Sequence, residues 1–238
     1  MIAAANVVLA VLPGGPIGIR SLLLVVAVTM VTGSVVLLAG KFTGVVVFAH
    51  GAGSSRHSSR NAAVARSLQD AGLATLLFDM LTEQEEQGEQ AGGTLRFDIP
   101  LLAGRLQRMM LDIRERPEIS GLSYGLFGAS TGAAAALTAA AETPDRVQAV
   151  VSRGGRPDLA GSALETVQCP TRLIVGGNDP DVLQLNEQAA QQLGAAHDLR
   201  VVPGASHLFE EAGALEQVAD FAREWFATHL NAPPDNTS

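Results

Sequence analysis

The chain has 238 residues and a formal net charge of −8, with 24 acidic against 16 basic side chains. That length suits one α/β domain with a substantial core, and the acidic balance argues against a nucleic-acid partner, because phosphate binding needs a basic face. The single cysteine, Cys169, excludes an internal disulfide and cannot build a metal site alone; outside any activating context, it reads as a buried or edge thiol.

Residues 1–43 form an apolar opening segment with two readings. Ser21 to Ala39 carries no charge and lies between Arg20 and Lys41, enough for a minimal membrane span. Valine and threonine enrichment and the break at Thr32-Gly33-Ser34 favour two buried strands instead, Leu22 to Met30 and Val35 to Leu38. Strands are the expectation, with a cytoplasmic location. A membrane anchor through residues 21–39 is the alternative. No basic region precedes the apolar run, so a cleavable signal peptide is not expected. Pro13 to Gly18 reads as a loop.

From Gly44 the pattern becomes regular. Val45 to Ala49 is a wholly apolar strand of the kind found inside parallel sheets, and it leads into His50-Gly51-Ala52-Gly53. A helix from about Ser59 to Ala71 and a strand from Leu73 to Phe78 follow, ending at Asp79. Leu81 to Gly93, with Glu83, Glu85, Glu86 and Glu89, reads as a solvated loop or frayed helix. Asp98 to Arg116 has the helical spacing of Ile99, Leu102, Leu106, Met109 and Met110, and Pro117 stops it.

Next come a strand at Tyr124 to Phe127 and an alanine-rich helix running to Glu142. Val147 to Ser152 is a strand, Leu159 to Thr166 a short helix, and Arg172 to Val175 a strand. A helix at Val182 to Leu193, a strand at Leu199 to Val202 and a helix at Leu215 to His229 complete the order, before a polar tail at Asn231 to Ser238 expected to be mobile. Alternating strands and helices predict an α/β fold over residues 44–230, a mainly parallel sheet with helices on both faces. In such sheets function gathers at the carboxyl ends of the strands.

Between the strand at Tyr124 and its helix stands Gly128-Ala129-Ser130-Thr131-Gly132, the pattern of a nucleophile elbow. Gly121 to Gly125 repeats the spacing around Ser123, but it precedes a strand and has the wrong context. Ser130 needs a base, and the base needs an acid to orient it. Of the five histidines, His207 emerges from the loop Pro203 to Ser206 after a strand, at the same edge as Ser130. His197 precedes that strand and belongs to the opposite edge. Asp179 lies just past the strand that ends at Val175 and is the expected acid, with Asp181 its rival; the order Ser130, Asp179, His207 is that of the elbow fold. An oxyanion hole is expected from the backbone of Thr131 and from the loop Gly51 to Gly53, with Ala52 as second donor.

Taken jointly, HGAGSSRHSSRN (His50 to Asn61), LLFDMLTEQEE (Leu76 to Glu86), FGASTG (Phe127 to Gly132), SRGGRPDL (Ser152 to Leu159), IVGGND (Ile174 to Asp179) and PGASHLFEE (Pro203 to Glu211) resemble the α/β-hydrolase superfamily and, within it, the dienelactone-hydrolase-like group. The resemblance implies a Ser-His-Asp hydrolase of an ester or related acyl bond, without metal or organic cofactor, and it supports Ser130, Asp179 and His207 individually. The best-known dienelactone hydrolases carry a cysteine nucleophile where this chain has Ser130, so a lactone substrate does not carry over. The short stretch between Ser152 and Arg172 leaves no room for a lid domain, which favours small or exposed esters. Arg56, His57 and Arg153, with Arg60 and Arg156, fall at the active edge, where they could grip a carboxylate or phosphate of the substrate.

Overall fold

The computed structural model describes residues 42–117 and 119–230. The strands expected before Ala39, the alternative membrane segment and the tail from Asn231 lie outside these residues. Among the described residues six strands form one sheet: β1 (Val45–Ala49), β2 (Ala74–Leu77), β3 (Tyr124–Ala129), β4 (Val147–Arg153), β5 (Thr171–Gly176) and β6 (His197–Val202). They lie in the order β2-β1-β3-β4-β5-β6, and every pair is parallel.

Strand β1 is apolar throughout because both of its faces are covered. Along β1, Val45, Val47 and Ala49 enter one core cluster while Val46 and Phe48 enter the other. The second cluster is closed by α1 (Ser59–Asp70) and α7 (Ala214–His229), through Val64, Leu68, Val218 and Phe226. The first is closed by α3 (Ile99–Ile113), α4 (Thr131–Glu142) and α6 (Pro180–Gln192). Asp98 caps α3 by accepting from the Leu101 N–H at 3.0 Å, with Pro100 in the first turn, so this helix starts where the sequence predicts.

Two local expectations are corrected. The acidic run after Leu81 is a formed helix, α2 (Glu83–Gln90), opened by a reciprocal cap in which Thr82 Oγ1 accepts from the Glu85 N–H at 3.3 Å and the Glu85 carboxylate accepts from the Thr82 N–H at 2.8 Å. Nor is the run wholly solvated. Arg105 of α3 grips the Glu85 carboxylate through two bonds of 2.7 and 2.6 Å. Buried Glu89 accepts from the Leu95 N–H at 2.8 Å and from Arg96 Nε at 2.6 Å. The run looked solvent-facing because its arginine partners lie outside it in the chain. The helix expected at Leu159 to Thr166 is divided at Gly161, where φ is 55°, into a 3-10 turn at Pro157–Ala160 and the single-turn α5 (Ala163–Thr166). No helix among the described residues is long and apolar enough to cross a membrane.

The Arg105 hydrogen bonds hold the Glu85 carboxyl at a pKa of about 2, against an ordinary value of 4.5. A depressed acid stabilises the folded state above its unfolded pKa and loses that contribution as pH falls toward the folded one. The difference in urea midpoint between the wild type and Glu85→Gln should therefore be constant above about pH 5.5 and narrow progressively toward about pH 3. A gap that does not change over that range would show that the ion pair contributes nothing to stability.

Candidate active site

Ser130 occupies the single residue between β3 and α4, with φ 51° and ψ −123°. A non-glycine residue there is strained by about 1–3 kcal/mol and persists only where its surroundings over-determine it. Here they do. The Ser130 N–H donates to the Arg153 carbonyl at 3.2 Å, and the Ser130 carbonyl accepts from the N–H groups of Ala133 at 3.1 Å and Arg156 at 3.0 Å. The flanking glycines let the backbones meet: a Cβ on Gly128 would lie 2.7 Å from the Ala133 nitrogen, and one on Gly132 would lie 2.2 Å from the Ala49 carbonyl oxygen. Ser123 precedes β3, and its carbonyl accepts from the Val45 N–H at 2.9 Å; it belongs to the other end of the sheet.

Asp179 and His207 are brought together. The loop after β5 is tied to the loop after β6 by the Gly177 N–H donating to the Val202 carbonyl and the Asn178 N–H donating to the Ala205 carbonyl, both at 2.9 Å. In consequence His207 Nδ1 meets Asp179 Oδ2 at 2.7 Å. A carboxylate only accepts, so Nδ1 carries the proton and Nε2 is left as the ring's acceptor. Asp181 is exposed in the first turn of α6 and is not the partner of His207. The turn that receives Ser130 also passes close to the histidine: a Cβ on Gly154 would stand 3.5 Å from His207 Nδ1.

His50 has a partner on each ring nitrogen, a feature the sequence reading missed. The Met80 N–H donates to Nε2 at 3.1 Å, so the ring proton sits on Nδ1, which donates to the Gly51 carbonyl at 3.0 Å. The Ala52 N–H donates to Thr131 Oγ1 at 2.9 Å. The only hint in the sequence was a histidine placed between an apolar strand and Gly-Ala-Gly.

The five cationic candidates separate in the fold. Arg56 is committed to Asp79, through its backbone N–H at 2.7 Å and its guanidinium. Arg156 pairs with Asp158 at 2.7 Å, which pushes its pKa up, and Arg60 reaches exposed Glu210 at 3.2 Å. His57 is exposed and lines a cavity of about 720 Å³ together with Ser54, Ser55, Arg60, Glu83 and Arg96. Arg153 differs from all of these. It is 9% exposed, its Nη1 has no hydrogen-bond partner among the described residues, and its guanidinium lies 6.0 Å from the centre of the Phe127 ring. Burial, and secondarily the charge of Arg60, lowers its pKa to about 10. Among the described residues no group of three or more His, Cys, Asp or Glu side chains is placed to hold a metal ion.

The parallel sheet, the strained serine at a strand-to-helix bend and the acid and histidine on later loops define an α/β-hydrolase fold. The dienelactone hydrolase family model matches residues 31–229, and the chain belongs to that family. It is 55% identical to a dienelactone hydrolase from Anabaena variabilis, covering 84% of this chain and 92% of that one with a TM-score of 0.80. The esterase Est1E from Butyrivibrio proteoclasticus shares the fold at 15% identity, covering 79% and 89% of the two chains with a TM-score of 0.66. Two Mycobacterium tuberculosis proteins, each named "Putative phosphoribosyl transferase", are 56% identical over 190 residues, which is 80% of this chain and 42% of theirs. The chain thus spans about two-fifths of the length of those relatives.

An unpaired buried charge is costly, so Arg153→Met should raise the unfolding free energy by on the order of 1 kcal/mol. Equilibrium unfolding measures this directly. A large loss of stability would mean instead that the guanidinium serves packing.

Proposed function

We propose that the chain is a serine hydrolase that cleaves a carboxylic ester, or a related acyl bond, of a small or exposed substrate. The observation that carries this reading is the 2.7 Å bond between His207 Nδ1 and Asp179 Oδ2 at the same sheet edge as the strained Ser130. In this reading His207 Nε2 takes the Ser130 proton as Oγ attacks the acyl carbon, and then passes it to the departing alcohol. Water resolves the acyl-enzyme by the same steps, with Asp179 holding the imidazole tautomer throughout. The backbone N–H of Thr131 is the first proposed oxyanion donor; the Ala52 N–H, expected as the second, donates to Thr131 Oγ1 at 2.9 Å. The transferase name of the longer relatives is read as belonging to their stretch beyond the 190 shared residues.

Ser130→Ala should reduce p-nitrophenyl acetate hydrolysis to background, and Asp179→Asn should lower kcat by up to about 10⁴-fold while leaving folding intact. A fluorophosphonate probe should label the wild type at Ser130 and leave the Ser130→Ala variant unlabelled. Well-folded wild type that resists the probe would favour a non-catalytic binding domain on the same scaffold.

Substrate anchoring is assigned to the basic groups of the edge, Arg153 first, then His57, with Arg56 acting through its pair with Asp79. A buried guanidinium with a free Nη1 and a second cation, Arg60, acting on it favours a carboxylate or phosphate on the substrate. The wild type should then prefer p-nitrophenyl hemisuccinate to p-nitrophenyl acetate in kcat/KM by about tenfold or more. Arg153→Gln should collapse that ratio, and the charge-matched control Arg66→Gln, exposed on α1, should keep it. Equal kcat/KM for the two esters in the wild type would remove the anion from the assignment.

A further inference from the structure

The loop after β1 is fixed from two directions, and the second anchor is a side chain adjacent to the nucleophile. Through Met80 and Gly51, His50 holds the Gly51 carbonyl. That carbonyl and the Ala52 N–H belong to one planar peptide, so holding the first sets the direction of the second. The Ala52 N–H then ends on Thr131 Oγ1 at 2.9 Å. Thr131 is 4% exposed, and no step of the mechanism above uses its hydroxyl.

A hydroxyl has two acceptor positions and one donor proton. Ala52 occupies an acceptor position, which leaves the proton to be aimed elsewhere and polarises it. The same loop touches the nucleophile, since a Cβ on Gly51 would stand 2.8 Å from Ser130 Cβ. The Thr131 hydroxyl and the Thr131 N–H are on one residue, three bonds apart, and can converge on one acceptor.

We propose that Thr131 Oγ1–H is itself an oxyanion donor, with Ala52 acting through it; this rests on the serine-hydrolase reading above. As the bond from Ser130 Oγ to the acyl carbon forms, the carbonyl π pair moves onto oxygen and the serine proton goes to His207. The new oxyanion receives hydrogen bonds from the Thr131 hydroxyl and the Thr131 N–H. Thr131 loses no proton, and when the carbonyl reforms its hydroxyl releases the oxygen while still accepting from the Ala52 N–H.

The test compares kcat and KM for p-nitrophenyl acetate in wild type, Thr131→Val and Thr131→Ser. Valine keeps the β-branch and removes only the hydroxyl; serine keeps the hydroxyl. Thr131→Val should lower kcat about 10²-fold with KM nearly unchanged, and Thr131→Ser should restore most of the loss. Thermal melting checks that each variant is folded, with Thr131→Ala as replacement should valine not pack. A valine or alanine variant as fast as the wild type overturns the assignment, and a faster one would show that the hydroxyl withholds the Ala52 N–H. Fluorophosphonate labelling separates the two levels. Wild type that is labelled while Thr131→Val stays fast removes only the Thr131 role, whereas unlabelled, inactive wild type removes the triad and this donor together.

Discussion

The site depends on α4 lying directly against β1 with no side chain between them. The space available to Gly132 ends 2.2 Å away at the Ala49 carbonyl, so any Cβ there would drive the helix off the sheet. The contact needs β1 and β3 to be neighbours, which they are, with Ala49 opposite Gly128. From it follow the abrupt bend at Ser130, the almost completely buried alanine face of α4, and the meeting of the first α4 residue, Thr131, with the loop after β1. Alanine serves in α4 because it is both the best helix former and the smallest residue that still covers the sheet.

The overall acidity of the chain says little about the field at the active edge. Many of the acids near that edge are already committed to arginines: Asp79 to Arg56, Glu85 to Arg105, Glu89 to Arg96 and Asp158 to Arg156. Arg153 is the exception, with a desolvated charge and a free nitrogen. Such a residue costs stability wherever it sits, and the strained backbone of Ser130 costs more. Both costs fall within one short stretch of sheet edge, since the Ser130 N–H is bonded to the Arg153 carbonyl. Local departures from good packing concentrate where function constrains the chain. Likewise, the loops after β5 and β6 spend backbone bonds on each other rather than on regular structure, and this mutual tie sets the distance between Asp179 and His207.

Much of this architecture was readable in the residues. Wholly apolar strands alternating with helically spaced segments predicted the parallel sheet, and the failures are instructive. The acidic segment after Leu81 misled because like charges close in sequence suggest solvent, yet Glu85 and Glu89 are satisfied by Arg105 and Arg96 from beyond the segment. The helix expected across Gly161 failed because a single positive φ interrupts an otherwise helical pattern. Neither error touched the choice of Ser130, Asp179 and His207, which rested on which end of a strand each residue follows.

Fold class and the sheet edge of each candidate could therefore be inferred from one dimension, because the alternation of strands with helices and the placement of glycine beside serine are local facts. The pairing of Arg56 with Asp79, the isolation of Arg153, the double hydrogen bonding of His50 and the bond from Ala52 to Thr131 could not. Apart from the bond of His50 to its neighbour Gly51, each is a contact between residues distant in the chain or a lack of one. Whether a polar atom finds a partner is decided only when packing has fixed what stands within about 3 Å of it.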